Sequence, residues 1–242
     1  MSDKIIAVPC VVEEERGDFI RRERNTLQRA RWHGMEVVVK DFGRPFLHGL
    51  EYAMRTSKAC RSYEHARTLI ERGIGTPEPI AYRECRDGLT NRLKSCSYIC
   101  RYEPSQCLLD FYDTADSAFI HAFAAFVAEL HEKGIRHDDL NNTNVRVKIT
   151  DNGPVFSLID LNRMHIYPDG QQVPLDECLD NMKRCADDLD DKFMSVVDEY
   201  LRIRNLPPKL REKAAAAKKE FNRKRDRKVA FKKKLKQFKS AR

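Results

Sequence analysis

The chain has 242 residues, 41% of them hydrophobic, which is enough to bury a core in one domain or in two small lobes. Its formal charge of +8 is uneven: Lys209 to Arg242 holds sixteen Lys and Arg against three acids, about +13, and the residues before it net about −5. No run of about 18 apolar residues occurs, and MSDKIIAVPCVVEEER lacks the basic and apolar regions of a secretory signal, so a cytoplasmic, non-spanning chain is expected.

In chain order, Glu36 to Phe42 (EVVVKDF) follows a turn-like Trp32-His33-Gly34 and predicts the second strand of a hairpin begun near Ile20 to Gln28. That strand carries Lys40 among valines. Thr56 or Ser57 can cap a helix to about Arg72 that bears Glu64, with Gly73 as its stop. After the turn chemistry of IGTPEP come strands at Pro79 to Tyr82 and Ser97 to Tyr102, and EPSQC reads as a linker between lobes. Phe119, Phe123, Phe126, Val127 and Leu130 recur at helical spacing over Ser117 to Lys133 and mark a core face. Val145 to Ile149, the turn DNGP and Val155 to Ile159 predict a β-hairpin that delivers Asp160 at its exit. Pro207-Pro208 then separates the basic tail from the body, and its alanines and lysines favour a solvated helix. The domain reading is therefore 1–103, 104–206 and a tail at 207–242, in an α+β chain.

The eight cysteines, Cys10, Cys60, Cys85, Cys96, Cys100, Cys107, Cys178 and Cys185, lack the paired spacing of zinc sites, and reduced thiols are expected. Asp187, Asp188, Asp190 and Asp191 lack the glycine and distal glutamate of a calcium loop and read as a solvated acidic face.

The densest polar cluster is His137-Asp138-Asp139-Leu140-Asn141-Asn142-Thr143-Asn144, with Asp160 at the end of the later apolar run. Transfer of a γ-phosphoryl group needs cations around its oxygens, oxygen ligands for Mg²⁺, and a carboxylate that orients the attacking hydroxyl. Lys40, steadied by Glu64, suits the α and β phosphates; Asp139 suits the hydroxyl; Asn144 and Asp160 suit the metal. Each also has a plainer reading. Lys40 and Glu64 taken alone are a solvated lysine and a helix-surface acid, Asn141, Asn142 and Asn144 are turn formers, and Asp160 is a cap.

Taken together, VVVK ending at Lys40, RSYEHARTLIERGIGTPEPIAY holding Glu64, HDDLNNTN and LIDLNR resemble the kinase superfamily. More closely they resemble the bacterial lipopolysaccharide core kinases, which phosphorylate Kdo or heptose sugars, over roughly Asn25 to Arg163. The resemblance implies a two-lobed protein-kinase-like fold with a small β-rich N-lobe and a mainly helical C-lobe. It implies ATP and Mg²⁺ as cofactors, with adenine near Ile99 to Glu103, so that Ile99 and Tyr102 join Lys40 and Glu64 as nucleotide residues. It further implies a Lys40–Glu64 pair, Asp139 as catalytic carboxylate, His137 as support of the catalytic loop, and Asn144 and Asp160 as metal ligands.

The chain departs from common kinase patterns in several places. No GxGxxG precedes Lys40, and the hairpin to Gly34 offers only that glycine. Asp138 stands where many kinases have arginine, Leu161-Asn162 follow the metal aspartate, and no APE follows, which favours a small or lipid-linked acceptor over a protein. The expected partner is a lipid-linked sugar, with the 209–242 tail meeting an anionic membrane surface, RNA, or nothing. Two other classes stand beside this reading: a RIO-like or small-metabolite kinase, and a non-catalytic pseudokinase binding module.

Overall fold

The computed structural model describes the backbone of residues 4–8, 15–22, 25–43, 55–185 and 190–240; side chains are described for most of 25–233, apart from 44–54 and 186–189, and for 237. The chain divides into two compact units, residues 1–105 with 157–164, and residues 106–156 with 165–242. The first is built on an antiparallel sheet and the second mainly on helices, the α+β arrangement that the sequence predicts.

In the first unit β1 (Lys4–Val8), β2 (Glu15–Arg22), β3 (Asn25–Trp32) and β4 (Met35–Phe42) precede α1 (Lys58–Glu71), which leads to β5 (Pro79–Arg86) and β6 (Leu93–Arg101). The six strands run in the order β1-β5-β6-β4-β3-β2. In β3 and β4 buried positions (Gln28 and Ala30, Val37 and Val39) alternate with more open ones, so one face is buried while the other stays wetter. Ala30, Val37, Val39, Ile80, Ala81 and Ile99 form the core on that face. Each large aliphatic buried there contributes about 1.5–3 kcal/mol. His33 and Gly34 both have positive φ, 47° and 77°, as a two-residue hairpin turn demands. Ser57 caps α1 by accepting from the Cys60 N–H at 3.0 Å, and Gly73 at φ 69° lets Ile74 N–H close back on Leu69 O.

In the second unit β7 (Gln106–Cys107), α2 (Leu109–Tyr112), α3 (Ser117–Glu132), β8 (Ile135–His137) and β9 (Val145–Thr150) come first. β10 (Gly153–Leu158), β11 (Met164–Ile166), α4 (Leu175–Met182), α5 (Asp191–Ile203) and α6 (Leu210–Ser240) follow. Asp116 caps α3 and Asp190 caps α5, each accepting from an N–H three residues on. Asp190 also accepts from the Tyr112 hydroxyl, so it is a partnered cap and not part of a solvated acidic face; Asp187 and Asp188 lie outside the described residues. The phenylalanines of α3 are core as predicted: the Phe156 ring of β10 meets Phe119, Phe123 and Phe126 at 5.4–5.6 Å.

The basic tail differs from the separate solvated helix expected. α6 buries Ala214 and Lys218 completely within the second unit, and the Lys218 ammonium bonds the carbonyl of Lys183, the C-cap residue of α4, at 3.0 Å. A cation at a helix C-terminus meets orphan carbonyls and the negative end of the dipole, which is why a lysine tolerates this burial. Ala214, Lys218, Phe221 and Arg225 recur at intervals of four, three and four, one face of a helix. From Arg227 to Lys233 every residue is exposed. Among the described residues no helix is long and apolar enough to cross a membrane.

Candidate active site

Lys40 sits on β4 between Leu27 of β3 and Tyr98 of β6, an interior place in the sheet. Its partner is Asp160 and not Glu64: Nζ donates to Asp160 Oδ1 at 2.6 Å, with the lysine side chain only 13% exposed. A largely desolvated ammonium needs a carboxylate within reach, whereas Glu64 lies exposed on α1. Asp160 has φ 60°, a left-handed backbone that costs a non-glycine residue about 1–3 kcal/mol. The following residue is held in place. His65 of α1 donates from Nδ1 to Leu161 O at 2.6 Å, the carbonyl being able only to accept, and Asn162 Nδ2 donates to Asp160 Oδ1. Burial lowers the His65 pKa, so this imidazole is neutral and its Nδ1 carries the proton. The neighbour of Glu64, not Glu64 itself, thus fastens α1 to the Asp160 segment.

The two nucleotide residues expected on β6 differ in kind. Ile99 pairs with Val39 and Ala81 inside the sheet and spends its side chain on the core. Tyr102 lies just past the strand, its N–H on Glu36 O at 2.9 Å and its ring beneath the Arg29 guanidinium at 4.1 Å. Gly34 is no phosphate loop for Lys40. The turn it makes follows Trp32 and precedes Met35, at the opposite end of β4, roughly 17 Å along the strand from Lys40. The connection at the Lys40 end of the hairpin is residues 23 and 24, outside the described residues.

In the second unit the loop after β8 holds Asp139. Buried His137 accepts the Asp139 N–H at Nδ1, 3.1 Å, and Asn144 Nδ2 donates to Asp139 O at 2.8 Å. Asn141 Oδ1 accepts from the N–H groups of Thr143 and Asn144, so it is the turn former, while its Nδ2 reaches Asp139 Oδ1 at 3.3 Å. The carboxylate also accepts from Arg184 Nη1 at 3.1 Å. Nothing in the sequence pointed to Arg184, 45 residues away. Asp138, in the place of a kinase arginine, is paired with Arg136 at 2.9 Å.

Behind the loop runs a buried relay. Asn181 Nδ2 donates to His137 O at 2.9 Å, which turns its Oδ1 toward His131 Nε2 at 3.1 Å. His131 Nε2 must then donate, leaving Nδ1 to accept from the Tyr200 hydroxyl at 2.8 Å. Burial pushes the His131 imidazole down to about 4, so it stays neutral and this tautomer persists.

Each unit carries one residue whose oxygen is of the kind a hard cation takes. Asp160 offers a carboxylate at 30% exposure in the first unit, and Asn144, with its Nδ2 committed to Asp139 O, has the amide oxygen to offer in the second.

The model of the lipopolysaccharide kinase (Kdo/WaaP) family matches residues 11–189. Among solved structures, "WaaP in complex with acyl carrier protein" is similar over 87% of this chain and 88% of that chain, with 18% sequence identity and a TM-score of 0.58. A Rio2 kinase from Chaetomium thermophilum, solved as an ADP/Mg²⁺-phosphoaspartate complex, is similar over 87% of this chain and 71% of that one, with 16% identity and a TM-score of 0.49. No curated protein matches the sequence. The WaaP likeness is one of fold.

Proposed function

The chain belongs to the lipopolysaccharide kinase (Kdo/WaaP) family, and from that premise we propose that it transfers the γ-phosphoryl group of ATP to a sugar hydroxyl, of Kdo or heptose, on a lipid A precursor. The observation that carries this reading is Asp139: a carboxylate on a loop whose backbone is fixed by His137 and Asn144 and whose Oδ1 is held by Arg184 and Asn141. Such a group, fixed in advance, avoids the reorganisation cost of orienting a hydroxyl at the moment of attack.

In the proposed reaction the sugar oxygen forms its bond to the γ-phosphorus as the bond to the β–γ bridging oxygen breaks. Asp139 receives the hydroxyl proton, and ADP carries away the electron pair. Lys40 would hold the phosphates of the nucleotide, and Asp160 and Asn144 would be the residues that hold the metal. Bound Mg²⁺ supplies charge neutralisation to the phosphate oxygens. The adenine belongs to the segment leaving β6 at Tyr102, since Ile99 is spent on the core. His137 supports the loop without touching substrate.

The acceptor is a lipid headgroup, and the exposed outer part of α6 suits the anionic cytoplasmic face of the inner membrane. Arg227, Lys228, Lys232 and Lys233 are exposed there beside Val229 and Phe231, 47% and 64% exposed, a pattern of cations with shallow apolar anchors.

The test is transfer of labelled phosphate from Mg-ATP to Kdo-lipid A, heptosylated core, bulk protein and RNA, with Asp139→Asn alongside. Label on a glycolipid, reduced about 10²–10⁴-fold in the variant, is expected. A variant as active as the parent chain refutes the assignment of Asp139, and label on protein or RNA alone refutes the acceptor.

A further inference from the structure

α6 brings more than charge to the second unit. Phe221 and Arg225, on its buried face, join Arg184, Asn142 and Asp139 in lining a cavity of about 280 Å³. That is close to the lower end of small-ligand sites, about 300–1,000 Å³. Arg184 donates to the Asp139 carboxylate from Nη1, and Arg225, whose Nε reaches Asp226 Oδ1 at 3.3 Å, lines the same cavity. The Phe221 ring lies 5.0 Å from the Arg184 guanidinium, with the Lys183 and Lys218 ammonium groups 5.9 and 5.6 Å from its centroid. An aromatic face against a guanidinium fixes its plane and removes water from one side, which strengthens its hold on an anion.

Asn142 also belongs to the wall of the cavity. Asn142 is 3% exposed, and neither Oδ1 nor Nδ2 of its side chain has a hydrogen-bond partner. A buried amide left so costs about 1–3 kcal/mol.

We propose that this cavity is the acceptor subsite, and that Arg184 and Arg225 bind an anionic group, carboxylate or phosphate, carried by the acceptor next to the hydroxyl it presents to Asp139. The inference rests on the kinase reading above and adds the substrate class: an acidic acceptor, not a neutral sugar. It also makes the docked part of α6 a wall of the active site. Arg184 bridges the two functions, with one nitrogen on the catalytic carboxylate and the fork beside it one guanidinium width away for the anion.

The experiment uses the full chain and Kdo-lipid A in detergent micelles. Arg225→Ala should raise the acceptor KM about tenfold, Arg225→Glu more, and Arg225→Lys less, with the ATP KM and the melting temperature unchanged. Two modified acceptors separate the sources of charge: one with its sugar carboxylate methyl-esterified, one with the lipid A phosphates removed. Whichever loses the difference between parent and Arg225→Ala carries the recognised group; if both keep it, the inference is overturned. An unchanged acceptor KM in Arg225→Glu overturns it as well. A parent chain that transfers no phosphate refutes the kinase reading instead, and micelle co-sedimentation then decides the subsite without turnover. There Arg225→Glu must lose binding that Arg67→Glu, the same charge change on the exposed face of α1, retains; an equal fall in both overturns the inference.

Discussion

Protonating His131 should unlock the second unit. Its ring is fully buried between Tyr200 and Asn181, and burial sets its pKa near 4 against an ordinary 6.5. Because the unfolded chain binds this proton more readily, stability rises with pH across that interval: the contribution is whole above 6.5 and is lost as pH falls toward 4. The gap is worth about 3 kcal/mol at about 1.36 kcal/mol per tenfold in proton affinity, of which about 2.5 is gone by pH 4.5. His131→Gln removes the titration while an amide can still donate to Asn181 and accept from Tyr200. Urea unfolding followed by far-UV circular dichroism, which reports mainly the helices, should be run on both proteins from pH 7.5 to 4.5. The stability advantage of the parent should shrink by about 2.5 kcal/mol over that range. Parallel pH profiles for the two proteins would refute the reasoning, since His131 would then not be the group whose protonation costs the fold.

Two further outcomes follow from packing. Removing residues 227–242 should weaken binding to anionic vesicles with little effect on the melting temperature, whereas removal from residue 209 should destabilise the second unit as well, because it strips Ala214 and Lys218 from buried positions; thermal melts and vesicle flotation on the two truncations check this. Phe156→Ala should cost about 3–5 kcal/mol in unfolding free energy, because that ring is shared by three phenylalanines of α3.

The local elements were legible because their causes are local. α1 follows from Ser57, the spacing of Ala59, Ala66 and Leu69, and Gly73; α3 follows from its phenylalanine stripe; the β9–β10 hairpin follows from its turn residues. β1 and α4 were missed, since a five-residue strand paired with β5 and an eight-residue helix carry too little pattern of their own. Asn144 stood out in the sequence by its offset from Asp139, and across that offset its Nδ2 bonds Asp139 O.

What the sequence alone determined, then, is the elements with strong local signals, such as α1, α3 and the β9–β10 hairpin, and the polar residues of the loop after β8, because capping, periodicity and turn chemistry act within a few residues. Tertiary structure alone decided which charges meet. Lys40 finds Asp160, 120 residues on, in place of Glu64; Arg184 finds Asp139; and α6, read as a detached basic helix, sets Ala214 and Lys218 into the second unit and Phe221 and Arg225 beside the loop. Such pairings depend on distances fixed by the packing of chain-distant elements, and a charge in a sequence has no distances until the fold supplies them.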